Sequence, residues 1–258
     1  MTQIGQTAQM RLEGVSLSYG AKLVLSDINL DIARGEIVSV VGPSGCGKTT
    51  SLRVLAGLVS PSGGRIVYEG TPLSGPRRDI AIVFQDYGKA LLPWRTAYQN
   101  ISLALETMGT DKSERPDRIH ALLKLIGLGN HADKFPSQMS GGMQQRLQIA
   151  RALAQEPSVL LMDEPFGALD AMTRQTLQDE LLTLSTKTGA TIYFVTHDLE
   201  EAVYLSDRVV GLLPNPGRVG RIFDVNLPRP RDQLTTRESP EFLHLRHELY
   251  QFVKGAEQ

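Results

Sequence analysis

The sequence predicts an α/β fold, a mainly parallel sheet covered by helices on both faces, and three observations lead there. Short, almost wholly apolar runs recur at residues 37–41 (IVSVV), 80–84 (IAIVF), 159–162 (VLLM) and 192–195 (IYFV). Such runs suit central strands of a sheet buried on both sides. Helical spacing follows several of them: Leu177, Leu181 and Leu184 fall at i, i+4 and i+7 behind the third run. A glycine-rich loop joins the first run to a helical stretch (TTSLRVLAGL).

In chain order, residues 10–19 and 23–32 alternate apolar and polar, the pattern of half-buried antiparallel strands. Between 97 and 156 the apolar runs give way to two helical stripes. One is Ile119, Leu122, Leu123 and Ile126; the other is Met143, Leu147, Ala150 and Ala154. This predicts a helical insertion between two strands of the parallel core. Residues 215–232, rich in Pro, Gly and Arg, read as a short strand and a connection. A last helix is predicted from Pro240, with Phe242, Leu245, Leu249 and Phe252 on one face.

The composition narrows the function classes. The 258 residues are 41% hydrophobic and 21% charged with a formal net charge of -1, which argues against broad electrostatic binding to nucleic acid. Cys46 is the single cysteine, so an internal disulfide and a cysteine-built zinc site are excluded and a reducing compartment is expected. The opening MTQIGQTAQMRLEG lacks the basic start and apolar stretch of a secretory signal. No run reaches the roughly 20 apolar residues of a spanning helix. A cytoplasmic protein is expected, with any membrane role exercised through a partner.

GPSGCGKTT (Gly42, Pro43, Ser44, Gly45, Cys46, Gly47, Lys48, Thr49, Thr50) fits the phosphate-binding loop pattern in its proper strand–loop–helix setting. Glycines let successive backbone N–H groups turn inward around a polyphosphate. Lys48 would reach the β and γ phosphates, and the Thr49 hydroxyl would be a magnesium ligand. A helix start lowers a thiol's pKa, which would make Cys46 reactive; the plainer reading is that it fills a tolerant position. Asp163 and Glu164 end the apolar run 159–162, where parallel sheets bind ligands. Asp163 would hold magnesium and Glu164 would polarise the attacking water as general base. Gln85 and His197 stand at two further strand ends. Gln85 would touch magnesium and water, and His197 would donate to the γ-phosphate or serve as a structural residue. His244 and His247, at i and i+3, read as a solvated face rather than a metal site.

GPSGCGKTT, VFQ, MSGGMQQR, LLMDEP, GALD and VTHD, in this order, resemble the nucleotide-binding subunit of ATP-binding cassette (ABC) transporters over residues 10–215. The resemblance implies a P-loop NTPase (RecA-like) parallel-sheet core with an antiparallel β subdomain and an inserted α-helical subdomain. The core and β subdomain would take 10–86 and 157–214, the helical subdomain 87–156, and a C-terminal extension 215–258 of one 1–258 domain. It further implies that Tyr19 stacks on adenine, that Gln85 couples the metal site to a transmembrane partner, and that Asp170 crosses a dimer interface. His197 would be the switch histidine on the γ-phosphate. Ser140, Gly141, Gly142 and Gln144 would contact, in trans, the ATP held by a second copy. Met139 and Met143 depart from the commoner LSGGQ form.

GKALLPWRTAYQN and LPRPRD are similar to segments of importer ATPases for nitrate, sulfonates, taurine and related solutes. The implied function is ATP-Mg2+-driven uptake through a separate membrane permease, with a solute-binding protein as an indirect partner. The chain would lie peripherally at the cytoplasmic face of the inner membrane, paired head to tail with a second copy. The stretch 91–94 would line a groove docking a short permease helix. Two alternatives stay open: a soluble cassette ATPase outside transport, and a P-loop small-molecule kinase. The kinase leaves SGGMQQR and VTHD without a purpose.

Overall fold

The computed structural model describes residues 8–257. The first seven residues of the stretch read above as lacking a secretory signal lie outside them. The elements run β1 (Ala8–Tyr19), β2 (Lys22–Ala33), β3 (Ile37–Val41), α1 (Lys48–Leu55), β4 (Gly63–Tyr68), β5 (Thr71–Pro72) and β6 (Ile80–Val83). Then come α2 (Tyr87–Ala90), α3 (Ala97–Thr107), α4 (Arg115–Leu125), α5 (Gly141–Leu153), β7 (Val159–Asp163) and α6 (Ala171–Thr188). The chain closes with β8 (Thr191–Val195), α7 (Leu199–Leu205), β9 (Arg208–Leu213), β10 (Arg218–Asp224) and α8 (Pro240–Ala256). The contacts divide it into two compact units, one of residues up to Arg77 and from Leu182, the other Arg78–Leu181.

In the first unit, β1 and β2 pair antiparallel as their alternation predicts. β4 and β5, for which no strand is expected from the sequence, extend that sheet in the order β2-β1-β4-β5. β3 is buried at every position, as a central strand covered on both faces is, and lies between parallel neighbours β8 and β9. β9 escaped the sequence reading because Gly211 interrupts its apolar run. β10 adds antiparallel to β9, in the segment read as a short strand. α8 begins at Pro240 behind Ser239, whose hydroxyl accepts from the Phe242 N–H. Phe252 seats its ring over both Gly211 and Gly220, where any Cβ would collide with it, and meets Phe223 edge-on at 5.7 Å. The extension is therefore packed into this unit. His244 and His247 are exposed on α8, as expected.

In the second unit, β6 and β7 pair parallel, and α2 to α5 follow β6, with α4 and α5 carrying the two predicted stripes. Ile119, Leu123, Leu147 and Ala150 are buried. α5 is buried beyond its apolar stripe, since Gln145 and Gln148 are each only 1% exposed. Before α3 the chain is held by Asn100, which is fully buried. Its amide accepts from the Leu92 N–H and donates to the carbonyls of Leu92, Arg95 and Thr96, all within 3.0–3.2 Å. That staple fixes the loop carrying Trp94.

Candidate functional site

The loop between β3 and α1 has the build of a phosphate cradle. Gly45 and Gly47 take φ of +77° and +95°, a left-handed conformation that glycine adopts at no steric cost. A Cβ on Gly47 would also lie 2.6 Å from Leu25 Cδ2, so the tight turn rests on the β2 side chain. No side chain caps α1 at Gly47, so its first-turn N–H groups face outward for an anion. Lys48 curls over the loop, donating to the carbonyls of Gly42 at 2.7 Å and Pro43 at 3.0 Å. Backbone donors and an ammonium on one short turn fit a nucleotide's polyphosphate. Pro43 is buried while Ser44 and Gly45 are exposed, and Gly42, Thr49 and Thr50 are half-buried.

Of the two readings of Cys46, the reactive thiol is the one the surroundings disfavour. Cys46 is fully buried, and burial raises its pKa more than Lys48 and backbone donors lower it. A Cβ on Gly42 would lie 2.9 Å from Cys46 Sγ.

Elsewhere in the first unit, Tyr19 ends β1 with 48% exposure, an open ring face. His197 is exposed at the end of β8, between two locked residues. The Thr196 hydroxyl donates to Glu201 at 2.8 Å, and Asp198 caps α7 by accepting from the Glu200 and Glu201 N–H groups. The far end of α7 is held by Arg231, from the LPRPRD segment. Its guanidinium donates to the carbonyls of Val203, Tyr204 and Ser206, which an α-helix leaves without partners at its C-terminus. Burial brings the Arg231 pKa down to about 10. Arg237 lies over the Tyr204 ring and pairs with Glu200. The sequence reading left these arginines without a role.

In the second unit, Gln85, Asp163 and Glu164 come together. Asp163 closes β7 and is 4% exposed. Glu164 follows in a left-handed conformation, φ +47°, unusual for a non-glycine residue and more so before a proline. Gln85 is exposed after β6 and donates to Glu164 Oε2 at 3.1 Å. Gln145, absent from the sequence reading, donates from Nε2 to the Glu164 carbonyl and accepts from the Ala168 N–H, both at 3.1 Å.

The MSGG stretch builds the start of α5. Ser140 is its N-cap, accepting from the Met143 N–H at 3.3 Å. Gly141 and Gly142 form the first turn, where a side chain would collide at the first and be tight at the second. Tyr87 crowds the first, and the Ala168 carbonyl would stand 3.1 Å from a Cβ on the second. Gln144 points back, donating to the carbonyls of Pro136 and Met139. Met139 is buried. Asp170 caps α6, accepting from the Thr173 N–H at 3.0 Å, and that bond lowers its pKa. The structure thus gathers Gln85, Asp163 and Glu164 in one unit with the Ser140 helix start; the Lys48 loop, Tyr19 and His197 belong to the other.

The family model described as "ABC transporter" matches residues 25–167. The chain belongs to that family. As an ABC transporter ATPase it binds and hydrolyses ATP, and its fold is the P-loop NTPase fold of these cassettes. It is 48% identical over 230 residues to an uncharacterized ABC transporter ATP-binding protein of Methanocaldococcus jannaschii, covering 89% of this chain and 84% of that one. It is 47% identical over 238 residues to the nitrate import ATP-binding protein NrtC of Synechococcus elongatus, covering 91% of this chain and 36% of that longer protein. The ATP-binding cassette MJ0796, solved as a dimer in a post-hydrolysis state bound to ADP and Pi, superposes with a TM-score of 0.76 at 34% identity. The match takes in 84% of this chain and 98% of that one. Among the described residues no helix is long and apolar enough to cross a membrane.

Proposed function

We propose that this chain is the ATPase of an importer for a small anionic or organic solute of the nitrate, sulfonate or taurine kind, working as a pair of copies beneath a separate membrane permease. Each copy would hold ATP on Gly42–Thr50, with Tyr19 against the adenine. Thr49, Gln85 and Asp163 would hold magnesium, which supplies charge neutralisation at the phosphates when bound. Glu164 would take the proton of the attacking water, oriented by Gln85, and His197 would donate to the γ-phosphate. Ser140, Gly141, Gly142 and Gln144 of one copy would close on the nucleotide of the other, with Asp170 at the same junction. Closure would then follow from contacts made to both copies at once. The pair would sit at the cytoplasmic membrane face as one 1–258 domain per copy, with a solute-binding protein delivering the solute. The nitrate importer named above supports the solute class.

The observation that carries the reading is Trp94. This ring is 70% exposed on a loop that Asn100 fixes from below, while Leu91 beside it is 2% exposed. A large aromatic held rigidly in solvent suits an anchor for a partner. The test is co-purification from native membranes. The wild-type chain should bring down a membrane permease, and Trp94→Ala should lose it while the purified chain keeps its ATPase rate. Equal recovery of the permease by Trp94→Ala would sink the docking reading. Separately, Glu164→Gln should bind ATP and fail to turn it over; turnover at the wild-type rate would remove Glu164 as base.

A further inference from the structure

We propose that Gln145 is a positioning residue for hydrolysis, holding the 164–168 loop at both ends so that Glu164 keeps its left-handed backbone and its aim. The inference rests on the reading of Glu164 as the base.

Both polar atoms of the Gln145 amide are used, and both partners are main-chain groups of one loop: the Glu164 carbonyl and the Ala168 N–H, each at 3.1 Å. The side chain is 1% exposed, so water does not compete for either bond. Anchoring through the backbone fixes the loop's path whatever its side chains do.

A loop holding a non-glycine residue at φ +47° needs such an anchor, because that conformation is costly and persists only where the surroundings enforce it. Gln85 grips the Glu164 carboxylate from one side at 3.1 Å, and Gln145 grips its main chain from the other. α5 touches the loop again at Gly142, where the Ala168 carbonyl closes in. The helix that starts at Ser140 therefore carries the loop bearing Glu164, and a shift of that helix start would move the carboxylate.

A buried glutamine of purely structural worth would change stability and leave catalysis alone, so the test separates the two. Gln145→Glu keeps the acceptor for Ala168 and loses the donor to Glu164. Gln145→Asn keeps an amide too short to reach both ends. For each full-length variant, thermal midpoint, ATP affinity, kcat and KM would be measured beside wild type and Glu164→Gln. The expected result is a fall in kcat on the order of 100-fold with KM for ATP within about threefold, since displaced reacting groups cost rate more than binding. Either variant folding and retaining kcat within about threefold overturns the inference, as does failure of the mild Gln145→Asn to fold at all. If Glu164→Gln itself hydrolyses ATP normally, the reading of Glu164 fails; if it is dead while the Gln145 variants are active, only the role of Gln145 fails.

Discussion

The phenol oxygen of Tyr87 occupies the space a Cβ on Gly141 would need. Tyr87, two residues past Gln85, and the first glycine of the α5 helix start are therefore fitted to each other within one unit. Gly141→Ala should push the ring aside at about 1–3 kcal/mol, the usual range for overpacking. Tyr87→Phe removes the colliding oxygen. In a double-mutant cycle read by urea unfolding, the pair should recover about 1 kcal/mol relative to additivity. Strict additivity would mean that the two do not press on each other.

Ser140 combines a structural and a proposed functional role, and two substitutions part them. Ser140→Ala removes the cap of α5 and should cost about 1 kcal/mol of stability. Ser140→Asp keeps a good cap and should leave the thermal midpoint unchanged. It also sets a carboxylate where a second copy's γ-phosphate is proposed to come. Hydrolysis should then collapse in Ser140→Asp despite intact stability, and full activity there would remove the helix start from the site.

Arg231 should not tolerate lysine. Its planar group spans three carbonyls at the end of α7, and an ammonium cannot reproduce that fork. Arg231→Lys and Arg231→Met should each lower stability by about 2 kcal/mol, followed by thermal or urea unfolding. Because α7 is continuous with Thr196 and Asp198 on either side of His197, the loss should appear with a lowered kcat rather than alone.

Cys46 should make stability fall in mild alkali. Burial raises its pKa above the ordinary 9.0. Between the unfolded and folded values the unfolded chain has lost its proton and the folded chain keeps it, so rising pH favours unfolding. Urea midpoints at pH 8 and pH 10 should show a larger drop for wild type than for Cys46→Ala. Alkylation of the native thiol should also be slow until the protein is unfolded.

Much of this was legible in the sequence because it depends on local pattern. Alternation foretold β1 and β2, unbroken apolar runs foretold β3, β6, β7 and β8, and a helical stripe foretold α5. Strand ends pointed to Gln85, Asp163 and Glu164. The remainder depends on partners distant in the chain. Gln145 reads as one more polar residue on a helix, and its two partners lie 19 and 23 residues further on. Nothing in GGM shows that Tyr87 stands against Gly141. LPRPRD is conspicuous in composition, yet its capping of α7 appears only once the chain has returned to that helix. For Cys46 the sequence shows a place at a helix start, which would favour a thiolate, but not the burial that opposes it.

Phe252 carries a consequence for how this chain diverges. Its ring fills the volume that side chains at positions 211 and 220 would occupy, so three sites far apart in sequence share one steric allowance. Among relatives an aromatic residue at 252 should be inherited with glycine at both strand positions. A chimera joining this α8 to a strand bearing alanine at 211 should misfit until the phenylalanine is made smaller, whereas alanine at 220 would need Leu213 to give way as well.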